Sequence, residues 1–324
     1  MSRLIIRIRQ YELPKQRPSR RWALGLYLLA GAGLFISSLL CGVLFRNADV
    51  QYTLTVVDLL FYLPFVALPI LLGVRRRPET LEAYRPGGLS LSNAILIALL
   101  AVAGLLFMNS LTVLWSILLQ KLGLVFPASN VPTPTGKGSL MLSIFTVAVL
   151  PAICEEFLFR GAIFSALEPE GTRHAMVISS LLFMGLHGSL NGAPVQFLLG
   201  MIICYLTWSC NSIYAGMIYH MVHNATTLIL MYIQSGLDVT AEAPDYLAAI
   251  GGLTGVFALL LDMLLLGGLM LLLLRPFRIR ALLSGAPKMP RKKIPFSRKG
   301  RWAVVIIIVL LLTLYALTIL GALL

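Results

Sequence analysis

Six polar residues lie inside strongly apolar stretches of this sequence, and their side chains are of the types used in acid–base chemistry. They are Glu155, Glu156, Arg160, His187, His220 and Asn224. An ionisable group inside a membrane-spanning segment is costly, so each is a candidate functional residue. A buried carboxylate can act as a general base, and imidazole is a common general acid or base. The residue types are therefore those of acid–base chemistry inside a membrane.

Helix geometry separates the two adjacent glutamates. Glu156 and Arg160 are four residues apart, so on a helix they share a face and can form an ion pair. Glu155 lies about 100° further round the helix and has no cation one turn away. One carboxylate is thus expected to be structural and the other available for chemistry. Two further pairs, Phe183 with His187 and His220 with Asn224, are also one turn apart.

The elements that position these residues are predicted to be transmembrane helices. Of 324 residues, 58% are hydrophobic and only 12% are charged, with a mean hydropathy of +0.88, whereas about a quarter of a soluble domain is charged. This composition excludes a soluble, disordered, collagen-like or disulfide-stapled protein. Apolar segments cover 22–45, 54–74, 91–120, 139–167, 174–191, 194–210, 212–234, 248–274 and 302–324. Segments that cross lipid must be helical, so we expect an all-α polytopic bundle of about nine spans.

The distribution of charge predicts the orientation of the bundle. Of the 26 Lys and Arg residues, seven lie in 1–21 and ten in 275–301, next to apolar segments. This pattern indicates cytoplasmic flanks and contact with anionic lipid headgroups, not nucleic-acid binding. The acidic loop 235–246 carries no Lys or Arg and falls outside. The N-terminus is therefore expected in the cytoplasm.

Depth along the helices gives an independent reason to group the polar residues. At about 1.5 Å per residue, Glu155 lies about 17 Å from the cytoplasmic end of its span. His187 lies about 20 Å in and His220 about 12 Å in. Three helices thus bring a carboxylate, two imidazoles and an amide to one layer, as an intramembrane catalytic chamber would require.

The ordered motifs at these positions resemble those of the CAAX protease and bacteriocin-processing family of intramembrane proteases. The motifs are Glu-Glu-x-x-x-Arg from Glu155, Phe-x-x-x-His from Phe183 and His-x-x-x-Asn from His220, within 140–234. The resemblance implies an intramembrane CAAX-type endopeptidase that cleaves a membrane-associated protein or peptide. We therefore expect four parts of the chain: a basic cytoplasmic segment at 1–21, transmembrane helices at 22–138, a catalytic core at 139–234, and transmembrane helices at 235–324 with a basic cytoplasmic loop at 275–301.

The resemblance also implies roles for individual residues. Glu155 would activate water, His187 and His220 would orient it or bind a metal, and Asn224 would stabilise the oxyanion or complete the coordination. Glu156, Arg160 and Phe183 would support them. A divalent metal, zinc by the family's description, would use His187, His220 and Glu155 as ligands. A metal-free mechanism stays open, because Glu155 cannot both bind zinc and act freely as the base.

Other interpretations remain at this stage. Glu155, Asp58 and Asp262 could form the relay of a proton- or ion-coupled transporter, or the chain could be a non-catalytic membrane scaffold or immunity protein of the same fold. Asp58 and Asp262 are interpreted as isolated polar contacts, and His223 as structural. We expect a multi-pass protein of a bacterial cell membrane.

Overall fold

The computed structural model describes residues 16–45, 50–124, 133–235 and 245–283, and in these residues the chain is helical with no strand. The predicted all-α fold is confirmed. The helices are α1 (Arg20–Leu44), α2 (Val50–Phe61), α3 (Leu68–Arg76), α4 (Leu91–Lys121), α5 (Lys137–Ser143), α6 (Leu150–Glu156), α7 (Ser165–Leu167), α8 (Thr172–His187), α9 (Ala193–Cys210), α10 (Ile213–Ser235), α11 (Tyr246–Ala249) and α12 (Leu253–Leu283).

Within the described ranges, six helical stretches are long and apolar enough to cross a membrane. They are Arg20–Leu44, Tyr52–Arg76, Leu91–Lys121, Lys137–Glu170, Ala193–Cys210 and Leu253–Leu283. Two further predicted spans, 174–191 and 212–234, correspond to α8 and α10, which are helical but are not among these six. The ninth predicted span, 302–324, lies outside the described residues. The count of nine and the cytoplasmic N-terminus stay predictions.

The helix that carries the two glutamates lies at the centre of the bundle. In the stretch Lys137–Glu170, more than half of the most apolar window is buried, whereas α12 faces outward along almost its whole length. Around this centre, α8 packs against α9, and α4 packs against both α10 and α12. The residues predicted to do chemistry are therefore on the inner helices, shielded by the outer ones.

Three π-helical segments interrupt the α-helices that surround the central polar residues. They are Tyr62–Ala67, Ile144–Val149 and Phe157–Phe164. Pro64 lies in the first and Pro151 follows the second, and a proline has no N–H for the regular helical hydrogen bond. Such wider turns are frequent at functional sites, where they re-aim side chains.

Candidate active site

A buried ion pair fixes the polar centre of the bundle. Arg160 Nη1 donates to Glu156 Oε1 over 2.8 Å, and both side chains are completely buried. Arg160 Nη2 also donates to the backbone carbonyl of Gly200 on α9, over 3.1 Å. The ion pair predicted from the four-residue spacing is confirmed, and it also connects the central helix to α9.

The same carboxylate holds His220. Its Nδ1 lies 3.0 Å from Glu156 Oε1. Since a carboxylate accepts hydrogen bonds, this contact places the imidazole proton on Nδ1 and leaves Nε2 as the free ring nitrogen. Glu156 therefore fixes both the orientation and the tautomer of His220, a role that its spacing from Arg160 does not reveal.

Glu155 presents one bound and one free carboxylate oxygen. The hydroxyl group of Tyr62, on the first π-helical segment, donates a hydrogen bond to Glu155 Oε1. Among the described residues, Glu155 Oε2 has no hydrogen-bond partner, and it lies 4.0 Å from His220 Nε2. The residue is only 4% exposed. Two hydrogen-bond acceptors on different helices thus face each other across a gap that suits one water molecule.

Phe183 connects the two histidines by ring packing. Its ring centroid lies 5.7 Å from that of His220 and 4.7 Å from that of His187, and the Arg160 guanidinium lies over its face at 4.8 Å. His187 Nδ1 lies 2.8 Å from the backbone carbonyl of Phe183, so Nδ1 is the donor and Nε2 is free. His187 is the exposed member of the cluster.

Asn224 is tied to the backbone of the central helix. Its Nδ2 donates to the carbonyl of Val147 over 2.9 Å. Pro151, four residues after Val147, has no N–H to make the α-helical hydrogen bond to that carbonyl. Asn224 supplies the missing donor with one N–H of its amide and keeps the second N–H and its oxygen for other partners.

These side chains meet in one cavity of about 460 Å³. Its wall includes all four residues predicted to be catalytic, which are Glu155, His187, His220 and Asn224. It also includes further polar side chains, among them Asp58, Tyr62 and His223. The four residues predicted to be catalytic therefore lie together, as their depth along the helices predicts, while their catalytic roles stay predictions.

The interpretation of one residue needs correction. Asp58 is not isolated, because it lies on the wall of the same cavity as Glu155, one helical turn before Tyr62. His223 also lines the cavity with a buried ring, and its structural role stays a prediction. Asp262, by contrast, accepts a hydrogen bond from Ser110 on α4 over 2.5 Å, and it is not on the cavity wall.

Tyr62 is the functional candidate that sequence reasoning missed. Its hydroxyl is neutral, and it lies 93 positions from Glu155 along the chain, so neither charge nor spacing marks it. The available signal is Asp58, an acidic residue inside an apolar segment four residues earlier, which indicates that this helix face is polar.

The expected metal ligands share one cavity, and their binding of zinc stays a prediction. In the part of the chain that the structure describes, no three His, Cys, Asp or Glu side chains converge closely enough to hold an ion, whereas catalytic zinc uses three protein ligands and a water molecule. His187, His220 and Glu155 line one cavity but do not fit that geometry. The mechanism below therefore contains no step through a metal.

Comparison with known proteins supports the family resemblance. Residues 137–226 match the family model of type II CAAX prenyl endopeptidase Rce1-like proteins. The matched range contains the glutamate, histidine and asparagine motifs and covers under a third of the chain. No curated protein and no solved structure gives a significant match. The match supports a CAAX-type intramembrane endopeptidase at the level of the family over these residues, and the apolar helices indicate an integral membrane protein.

Proposed function

We propose that this protein cleaves a peptide bond of a membrane-anchored substrate, with Glu155 as the general base. The observation that carries the proposal is the 4.0 Å gap between Glu155 Oε2 and His220 Nε2. Both atoms are hydrogen-bond acceptors, so a water molecule between them directs its two O–H bonds at them. The lone pair of that water then faces the cavity, where a substrate carbonyl would lie.

The hydrolysis then follows from the positions of the side chains. Glu155 takes a proton from the water while the oxygen attacks the carbonyl carbon, and His220 Nε2 keeps the water in line. The free N–H of Asn224 is the donor for the resulting oxyanion, and His187 lies on the same cavity wall, where it can orient the substrate. When the C–N bond breaks, Glu155 returns its proton to the leaving amine. The proton gained in the first step is thus released in the last.

The transporter hypothesis has less support. Asp58 and Glu155 share the cavity. Asp262, on α12, instead accepts a hydrogen bond from Ser110 on α4 and lies away from the cavity wall. A relay through all three carboxylates would need a continuous polar path between these places. Clustering around one cavity favours a reaction centre over a through-going path.

The decisive experiment compares two carboxylate variants of the purified protein. The probe is a farnesylated peptide with three residues after the modified cysteine, and cleavage is followed by mass spectrometry. Glu155→Gln is expected to lower turnover by about 10²–10⁴-fold, because the amide cannot take the proton, while its thermal unfolding stays as in the wild type. Asp262→Asn is the matched control and should retain activity, because this membrane carboxylate is not on the cavity.

Two outcomes would contradict the proposal. The first is wild-type cleavage by Glu155→Gln. The second is an inert wild type that instead shows substrate-dependent proton flux in liposomes, which would favour a transporter. Peptides with other membrane anchors, tested beside the farnesylated one, define the substrate class.

Metal dependence is measured on the same protein. The zinc prediction expects about one equivalent of zinc per active chain, loss of cleavage with a strong chelator, and recovery when metal is returned. The mechanism proposed above expects cleavage to survive chelation. Metal content and activity before and after chelation therefore separate the two.

A further inference from the structure

A second, larger cavity lies between α1 and α3, away from the catalytic residues. Its volume is about 730 Å³. We call it the α1/α3 groove. It is lined by Pro18, Ser19, Arg21, Trp22, Gly25, Leu26, Leu29, Leu68, Pro69, Leu72, Gly73, Arg76, Arg77 and Thr80. None of these side chains is acidic, and none is a proposed catalytic residue.

The lining of the groove changes from basic at one end, which we call the mouth, to apolar at the other. Arg21 on α1 and Arg76 on α3 lie at one end, whereas Leu29 and Leu68 lie eight residues further along their helices. Eight residues of helix span about 12 Å, which fits within one leaflet of a hydrocarbon core about 30 Å thick. A positive mouth above an apolar slot of this length matches the shape and charge of one phospholipid.

The three arginines at the mouth are free to bind an anion. Nearby Arg17 and Arg20 form ion pairs with Glu168 and Glu170. Among the described residues, Arg21, Arg76 and Arg77 form no ion pair, and all three are exposed. A guanidinium can hold a phosphate through two parallel hydrogen bonds.

One glycine, Gly25, keeps the slot open, while a second, Gly73, makes room for a ring. A Cβ atom at Gly25 would meet no atom within 4 Å, so a larger side chain there would project into the empty groove. At Gly73, the indole ring of Trp22 lies directly against the backbone. A substitution at Gly25 can therefore fill the slot without a clash, whereas one at Gly73 would clash with Trp22.

From this charge and shape we propose that the α1/α3 groove binds one phospholipid with an anionic headgroup. The phosphate lies between Arg21, Arg76 and Arg77, and an acyl chain occupies the slot beside Gly25. This site is independent of the proposed peptidase activity, so the two proposals can fail separately.

The test is native mass spectrometry of the purified full chain in a neutral detergent, titrated with dioleoyl phosphatidylglycerol or dioleoyl phosphatidylcholine. The wild type is expected to bind the first phosphatidylglycerol more tightly than phosphatidylcholine. Arg76→Gln should weaken that binding about fivefold. Arg75→Gln is the matched control: it removes a charge from the same basic triplet, but this residue does not line the groove. It should leave the first binding step unchanged.

A second pair of variants tests the apolar slot. Gly25→Leu should abolish the tight first binding step although every arginine is kept. Gly31→Leu is its control, because this position on α1 also has no atom within 4 Å of a Cβ, yet it lies outside the groove. Leucine has a higher helix propensity than glycine, so both variants are expected to fold.

Three results would overturn the proposal. Equal weakening by Arg75→Gln and Arg76→Gln would show diffuse surface attraction. Equal binding of the two lipids would show an apolar slot without headgroup selection. Displacement of phosphatidylglycerol by the farnesylated peptide, in wild type and in Glu155→Gln, would make the groove a substrate subsite.

Discussion

At the scale of single residues, Tyr62 decides which oxygen of Glu155 is free. Its hydroxyl occupies Oε1, so only Oε2 is left to face His220. A carboxylate without this partner can rotate and lose its alignment with the water. Tyr62 is thus a positioning residue, which acts through Glu155.

Tyr62→Phe is expected to lower kcat about ten- to a hundredfold, the value of one hydrogen bond to a charged group, with little change in KM. The matched control is Tyr219→Phe, because Tyr219 is also buried but is absent from the cavity wall, and its hydroxyl has no hydrogen-bond partner among the described residues. Peptide-cleavage kinetics on both variants check this. Equal losses in the two, or a rise in KM alone, would exclude the positioning role.

Glu156 has a different task from its neighbour, because it joins Arg160 to His220. Glu156→Gln leaves a buried guanidinium without its counter-charge, a change that typically costs about 3–5 kcal/mol. We expect low yield and a lower Tm as well as lost activity, whereas Glu155→Gln keeps its Tm. The double variant Glu156→Gln with Arg160→Met should recover Tm but not activity. A stable, inactive Glu156→Gln would mean that the roles of the two glutamates are reversed.

At the scale of elements, helix irregularities bring the site together. Glu155 and Tyr62 are on different helices: Tyr62 is the first residue of one π-helical segment, and Glu155 lies two residues before another. At Asn224, an amide from α10 satisfies a carbonyl of the central helix that Pro151 cannot satisfy. The site therefore depends on backbone irregularity as much as on side-chain identity.

This dependence explains what could be predicted from the sequence. Glu156 and Arg160 are local neighbours on one helix, so spacing alone gives their pairing. The shared layer of Glu155, His187 and His220 follows from depth along regular helices. Two other contacts depend on how separate helices pack and on where they contain π-helical turns. These are the hydrogen bond from Tyr62 to Glu155 and the binding of both Arg160 and His220 by Glu156. No periodicity in the sequence encodes those features.

Asn224→Ala is predicted to leave the Val147 carbonyl unpaired and to lower the free energy of unfolding by about 1–3 kcal/mol. Pro151→Ala restores a backbone N–H, so the double variant should recover most of that stability, as measured by thermal or denaturant unfolding. Cleavage activity should stay low in the double variant, because the second amide N–H is also gone. If stability is not recovered, the hydrogen bond is not what Asn224 contributes to folding; if activity returns, the amide has no role as an oxyanion donor.

At the scale of the whole molecule, the described part of the bundle has two chemically different ends. One end contains Arg76 and Arg85. At this end the backbone carbonyl of Arg85 accepts a hydrogen bond from Ile213 N, at the start of α10, over 3.0 Å. At the other end, Ser235 donates to the carbonyl of Pro134 over 3.2 Å, close to where α10 finishes. The first end is rich in arginine, so the excess of cytoplasmic Lys and Arg predicts that it faces the cytoplasm.

Cysteine labelling tests this orientation independently of the chemistry. Asp245 and Glu79 are exposed, and they lie near the arginine-poor end and the arginine-rich end respectively. Asp245→Cys is expected to react with a membrane-impermeant maleimide in intact cells, whereas Glu79→Cys should react only after the membrane is permeabilised. The four native cysteines are buried and unpaired, so the unsubstituted chain serves as the unlabelled control. Labelling of Glu79→Cys but not Asp245→Cys in intact cells would reverse the orientation. It would also place the arginine mouth of the α1/α3 groove in the outer leaflet, where the cytoplasmic surface charge could not act on it.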